Sequence, residues 1–391
     1  MILGDPSGAC WPTELQELLL RAALSDGDAA CQAYRDWHAK GGLERLDAGS
    51  YRLLPLVGHN LARFGFEHKE MGTLRGLRRK TWCENRLLFA KLAPAVAMLQ
   101  QAGMPVLVLK GLPLALRYYR DAGLRPMRDM DLMVPEQHAA EANRLFESAG
   151  WRNIWPGRYQ LGPHDWNFRQ AVPYAADDGR EVDLHWHALY QATFPGADTD
   201  FWASAERLEF EGLTVEVLCP SDELFHALVH GPTWNEVPPM RWVADAMTVM
   251  RASAIDWDRL LRLTGRLHVT LTMRAACEYL VRVFQAPIPP SMLSALAGLP
   301  VDAAERVEFE RTQGPRRQQS LAHMARSIYS SYQRGARGRG ALEKAAAFPR
   351  FLCYYLDVER PAELWPRAAR WVARRVGLHS AANHRNGTGV Q

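Results

Sequence analysis

The sequence predicts an α/β (α+β) protein, with a small sheet-bearing core over residues 103–219 set between two helical regions. Three observations predict it. Apolar residues recur at three- and four-residue spacing over the first hundred positions. Short apolar and alternating runs follow Gly103, and helical periodicity returns at Pro220. The expected organisation is a helical region over 1–102, the α/β core over 103–219, a helical pocket-forming region over 220–290 and a basic helical region over 291–391.

The first helices are WPTELQELLLRAAL, DAACQAYRDWHAK, SYRLLPLVGHNLARFG and a long segment from about Gly76 to Gln101. GMPVLVLKG then carries a continuous apolar run, Val106 to Leu109, bounded by Pro105 and Gly111, which reads as a buried strand. A helix follows in LPLALRYYRD, a second strand in MRDMDLMV, and a helix from about Pro135 to Ala149 with Pro in its first turn. WNFRQAVPY reads as a strand, and the DDG at 177–179 turns the chain into another, GREVDLHWH. ERLEFEG and LTVEVLC alternate well enough to form a hairpin ending near Cys219. Ser221 or Asp222 is the expected N-cap of a helix over ELFHALVHG. Helices continue through MRWVADAMTVMRAS, IDWDRLLRLTGRL and VTLTMRAACEYLVRVFQ to the Pro-rich APIPPS, and less regularly beyond.

Composition excludes several classes. The 391 residues are 48% hydrophobic, carry 47 Lys+Arg against 43 Asp+Glu and include 13 Trp, with a mean hydropathy of −0.26. A disordered chain is poorer in apolar residues, and a collagen-like chain far richer in Gly than the 29 here. The net charge of +4 hides an asymmetry: residues 301–391 hold 16 Lys+Arg and 8 Asp+Glu, so this tail is +8 and the rest is −4. Either the tail meets an anionic partner or it lies against the acidic part of its own chain. Cys10, Cys31, Cys83, Cys219, Cys277 and Cys353 are scattered, without a CxxC or Cys/His cluster, which points to a reduced, cytoplasmic protein. The N-terminus does not read as a signal peptide, and nowhere do ~18 apolar residues run uninterrupted.

The strongest local feature is Arg125-Pro-Met-Arg128-Asp129-Met-Asp131-Leu-Met-Val. On a strand, residues two apart project to one side, so Asp129 and Asp131 share a face while Met130 and Leu132 enter the core. Two close carboxylates repel, and a hard cation, Mg²⁺ before others, relieves that repulsion while bridging to substrate phosphates. For an isolated DxD, a solvated edge strand is the simpler explanation. Three further signals favour a site. Asp183, between Val182 and Leu184, joins the other two carboxylates if its strand pairs beside theirs, and three carboxylates hold two Mg²⁺. Lys110-Gly111 stands at a strand end before a helix, where Gly admits close approach and the helix start favours phosphate. Arg125 and Arg128 supply cations that would otherwise be missing beside a nucleoside triphosphate.

These pieces, Leu109-Lys110-Gly111, Arg125, Asp129-Met-Asp131-Leu-Met-Val and Val182-Asp183-Leu184-His185-Trp186, resemble the nucleotidyltransferase superfamily of the polymerase-beta type, and in particular its poorly characterised bacterial branch. The resemblance continues into CPSDELFHALVHG and RWVADAMTVM, over roughly residues 85–285. It implies a mixed sheet bearing Asp129, Asp131 and Asp183 as catalytic carboxylates and Mg²⁺ ligands. It also implies transfer of a nucleoside monophosphate from an NTP to an acceptor hydroxyl or phosphate, with release of pyrophosphate. The superfamily usually opens its first helix with Gly-Gly or Gly-Ser, and here Lys110-Gly111 stands in that place. On this reading Asp129 and Asp131 bind both metals. Asp183 helps bind one and lowers the pKa of the acceptor hydroxyl. Lys110 and Gly111 hold donor phosphates, Arg125 or Arg128 offsets transition-state charge, and His185 contacts substrate or phosphate. The acceptor, a small molecule, peptide or sugar before an RNA end, carries no readable motif. The alternatives are a non-catalytic nucleotide- or partner-binding module and a metal-dependent phosphohydrolase using the same Asp residues with His185.

Other features have plainer readings. His185 and His187 alternate toward one face, but without a further nearby ligand zinc is the minor reading. His226 and His230 lack the Glu of an HExxH pattern and read as packing or pocket residues. Arg241 and Asp245 stand at i, i+4 and suit a helix ion pair. WPRAARWVARRV is a basic amphipathic helix, read as docked by its Trp residues, and RGARGRG as a flexible loop with phosphate affinity. GxSxG, Walker A and a GxGxxG after a strand are all missing, which leaves hydrolase, P-loop and Rossmann readings unsupported.

Overall fold

Thr13 opens the first helix with a capping box, its side chain accepting from the Gln16 amide while the Gln16 side chain returns to the Thr13 amide. The structure, a computed structural model, describes residues 9–313 and 321–375. Helices α1 (Glu14–Leu24), α2 (Gly27–Ala39), α3 (Ala48–Arg63) and α4 (Met71–Gln101) fill the N-terminal region, the last starting a turn earlier than its periodicity suggested.

The core follows as β1 (Leu107–Leu109), the single turn α5 (Gly111–Pro113) continued by a π-helical turn Leu114–Tyr118, β2 (Met130–Met133), α6 (Ala139–Ser148), β3 (Arg152–Asn153), β4 (Ala171–Ala175), β5 (Glu181–His185), the short α7 (Thr199–Ala203), β6 (Glu206–Phe210) and β7 (Leu213–Val217). The strands form one sheet of order β3-β4-β5-β2-β1-β7-β6. It is mixed: β2 runs parallel to β5 and β1 to β7, while the remaining pairs are antiparallel.

Strand alternation divides the sheet between two cores. Val108, Leu132, Val182, Leu184 and Val217 pack with α6 and the second half of α4. Leu107, Leu109 and Met133 face the other way, into a cluster shared by α1–α3 and the helices that follow the sheet. Those helices are α8 (Pro220–His230), α9 (Arg241–Ala252), α10 (Trp257–Leu267), α11 (Thr270–Phe284) and α12 (Pro290–Gly298). The N-terminal helices and the helices after residue 219 therefore share one continuous core on the face of the sheet that carries Asp131. Beyond lie α13 (Ala303–Thr312), α14 (Leu321–Gly335), α15 (Ala341–Leu356) and α16 (Leu364–Arg375), with a small apolar cluster around Tyr332, Ala347 and Phe351. No described helix is long and apolar enough to cross a membrane.

Four local expectations are corrected. The cap of α8 is Cys219 with Pro220 at the first helical position, where a missing N–H costs nothing. Ser221 and Asp222 are engaged elsewhere: Ser221 accepts from the Asp256 amide, and Asp222 grips Arg259 through two hydrogen bonds of 2.7 Å. The strand expected from Trp166 starts only at Ala171. Trp166–Phe168 is a 3₁₀ turn because Trp166 packs edge-on against Trp186 and Phe168 against Phe351. The basic terminal helix is not docked by Trp365, which is 84% exposed, and the side chains from Arg370 onward lie outside the described residues. Within RGARGRG, Arg337 pairs with Asp302 and Arg339 donates to Asn167, so these cations bind their own chain. So do Arg311 and Arg334, both on Glu308, and Arg350, on Asp165.

Candidate active site

Asp131 and Asp183 are direct register partners in the parallel β2–β5 pair, so their side chains leave the same face of the sheet side by side. His185, two residues further along β5, shares that face. The three offer ligand atoms that all lie within 4.8 Å of one another. Lys110, at the end of β1, completes the cluster: its Nζ donates to Asp131 Oδ1 at 2.6 Å, and His185 Nε2 meets the same oxygen at 3.1 Å.

The electrostatics follow from the neighbours. Burial acts to raise the Asp131 carboxyl, but Lys110 and His185 outweigh it and hold the group well below the usual carboxylate range. Asp183 is pushed upward, chiefly by burial and then by the Asp131 charge. One carboxylate is thus committed to the ionised state, and its register partner feels that charge.

The remaining sequence candidates sit around this cluster. Asp129 precedes β2 and is exposed, as is Arg128. Both line a cleft of about 880 Å³ between the sheet end and helices α3 and α4. Asp129 is not among the three side chains whose ligand atoms converge. Met127 packs closely over Gly111, where a Cβ would stand 2.4 Å from its Sδ and require the Met side chain to shift. Lys110 has a positive φ of 55°, unusual for a residue with a Cβ.

Arg125 does not face the cleft. It is buried in a bidentate pair with Asp245, Nε to Oδ1 at 2.9 Å and Nη2 to Oδ2 at 3.0 Å, and Tyr119 also donates to Asp245 Oδ1. The ion pair expected between Arg241 and Asp245 is therefore replaced, because Arg125 saturates the carboxylate and Arg241 donates to the Pro126 carbonyl and lines the cleft. His187 pairs with Asp198 at 2.7 Å, and His226 meets the Ala188 carbonyl at 3.1 Å, so neither joins the cluster. Burial lowers His226 to about 3.

Sequence reasoning missed the wall of the cleft. Arg52, Lys80 and Lys91 come from α3 and α4 and line it together with Asp47 and Glu84, while Glu223, fully buried on α8 and outside that lining, stands near both Asp245 and Asp131. Nothing in their spacing marked these residues; only the packing of α3 and α4 over the sheet end brings them to one cleft.

A mixed sheet with two register-paired Asp residues, a Lys-Gly turn before a short helix and a cleft lined by charges of both signs fits a nucleotidyltransferase-type architecture. The chain belongs to the family of uncharacterised nucleotidyltransferases, whose model matches residues 48–285. Three solved structures are similar over part of the chain. The lincosamide antibiotic adenylyltransferase LnuA, bound to lincomycin, is 11% identical over 42% of this chain and 97% of its own, with a TM-score of 0.30. The antibiotic-resistance factor ANT(2'')-Ia is 14% identical over 50% and 97%, with a TM-score of 0.33. An antigenic nucleotidyltransferase-like protein from Paracoccidioides brasiliensis is 16% identical over 56% and 95%, with a TM-score of 0.34. No curated protein matches the sequence.

Proposed function

We propose that this chain transfers a nucleoside monophosphate from an NTP to a hydroxyl or phosphate of a small molecule, peptide or sugar, in the cytoplasm, with release of pyrophosphate. The observation that carries the reading is the Asp131–Asp183 register pair, two carboxylates side by side on one sheet face. Their oxygen donors suit a hard divalent cation. Asp131 and Asp183 would hold Mg²⁺, with Asp129 joining from the cleft rim to make room for two ions. When bound, Mg²⁺ supplies charge neutralisation on the transferring phosphoryl group.

The chain's own residues do the rest. Lys110 and Gly111 bind donor phosphates at the start of α5. Arg128 and Arg241 line the cleft and offset charge on the triphosphate. His185 fixes Asp131 through the same carboxylate oxygen as Lys110 and contacts substrate. Arg125 is a positioning residue, tying the loop before β2 to α9 through Asp245. The cleft, at about 880 Å³, is in the range that takes a nucleotide and a small acceptor.

The test is pyrophosphate release by the full-length protein with each NTP and Mg²⁺, together with product masses. Asp131→Ala abolishes release while the protein stays folded; undiminished release sinks the proposal. One observation favours a second reading, a nucleotide-binding module without turnover: Lys110 and His185 already satisfy Asp131. Tight NTP binding without pyrophosphate would select it, whereas release of inorganic phosphate would select a phosphohydrolase.

A further inference from the structure

In the N-terminal region, outside the cluster on the sheet, three side chains converge. His38 lies in the last turn of α2, His68 in the loop between α3 and α4, and Glu70 immediately before α4. His38 Nε2 is 3.4 Å from Glu70 Oε1, and His68 Nδ1 is 3.7 Å from Glu70 Oε2. All three offer ligand atoms within 4.8 Å of one another, one of two such groups among the described residues.

We propose that His38, His68 and Glu70 form a zinc site that fastens the end of α2 to the start of α4. Zinc bonds of 2.0–2.2 Å in a tetrahedron place neighbouring donors about 3.3–3.5 Å apart; His38 already stands at that spacing from Glu70 Oε1, whereas His68 approaches Oε2, so its ring must turn to share the same oxygen. Two imidazoles with one carboxylate favour Zn²⁺ over Mg²⁺ or Ca²⁺, which prefer all-oxygen donors. The carboxylate is already oriented from behind: the buried Tyr34 hydroxyl donates to Glu70 Oε2 at 2.6 Å, the kind of outer partner that fixes a metal ligand. The His38 and His68 rings meet edge to face at 4.6 Å, which sets their planes. The Glu70 amide donates to His68 Nδ1 at 3.3 Å, which occupies that lone pair, so zinc takes His68 by displacing this long hydrogen bond. The side chains remain 32%, 23% and 15% exposed, leaving a fourth position for water.

Calorimetry of the full-length protein, stripped with chelator and then freed of it, tests the site by titration with Zn²⁺ in excess Mg²⁺. We expect one zinc bound per chain and a raised melting temperature. His38→Ala and His68→Gln, made separately, should each weaken uptake at least tenfold while melting like the wild type without zinc; if one fails to fold, the other carries the test. Zinc uptake that both variants retain, or no uptake by the wild type, overturns the proposal. Uptake that survives these variants but is lost in His185→Ala places the metal at the sheet instead, and also overturns it.

Discussion

Lys110 reaches Asp131 with its Nζ 2.6 Å from Oδ1, and it does so from a backbone with φ 55° and ψ −106°. That conformation is costly for any residue with a Cβ, so Lys110 combines a strained backbone with the ammonium that pairs with this carboxylate. The β1–α5 turn is short, fixed on the strand side by the Leu109–Asp131 register and covered by Met127 at Gly111. The chain tolerates the strain to deliver a cation at the sheet end.

Comparing Lys110→Gly with Lys110→Ala separates the two roles. Ordinarily Gly is less stable than Ala by about 0.5–1 kcal/mol within an element. At this positive φ the order reverses, and Lys110→Gly should be the more stable of the pair by about 1 kcal/mol in urea denaturation. If the proposed transfer holds, both should lose pyrophosphate release, since neither supplies the ammonium. Equal activity in Lys110→Gly and wild type would remove Lys110 from the donor site.

The Arg125–Asp245 pair gives a second measurement. With both side chains nearly buried, removing one leaves the other charge uncompensated, and Asp245→Ala should cost about 3–5 kcal/mol. Replacing both with apolar residues of similar size, Arg125→Met with Asp245→Leu, should cost less than either single change. Denaturation midpoints of the three variants decide it. Additive losses would show that the pair is not coupled.

Much of this architecture was legible because it is local. Period-2 alternation placed Asp131, Asp183 and His185 on one face, and the register of β2 with β5 has them there. The same alternation carried Asp129 into the strand, yet β2 begins at Met130 and leaves Asp129 exposed at the cleft. What sequence could not reveal is long-range. Asp245 takes Arg125 from 120 residues away, and no local spacing competes with the i, i+4 reading of Arg241. The Ser221-Asp222 cap failed for a similar reason, since Asp256 and Arg259 claim those side chains across a helix interface.

The α8–α9 corner is equally tertiary. A Cβ on Gly231 would lie 2.3 Å from Trp242 Cβ, and Trp242 is held between Trp11 and Tyr279, at centroid distances of 5.9 Å to each. Gly231→Ala should therefore cost about 1–3 kcal/mol by overpacking, despite an ordinary negative φ. A melting temperature equal to wild type would mean that the indole can retreat.

Glu223 sets a pH dependence with a definite sign. Burial, then the Asp245 charge, pushes its carboxyl from 4.5 up to about 8, and its Oε2 has no hydrogen-bond partner among the described residues. The folded chain thus keeps a proton that the unfolded chain releases above about pH 4.5. Between those two values the folded state binds more protons, so stability falls as pH rises toward 8 and is greatest at the acid end of that window. At about 1.4 kcal/mol for each pH unit crossed, the loss over the window is on the order of a few kcal/mol. Glu223→Gln keeps the shape and removes the charge. It should flatten the slope of stability against pH, raising the melting temperature at pH 8 while changing it little near pH 4.5. A variant that tracks the wild type over the whole range would show that Glu223 is ionised in the folded protein, with Arg125 serving both carboxylates.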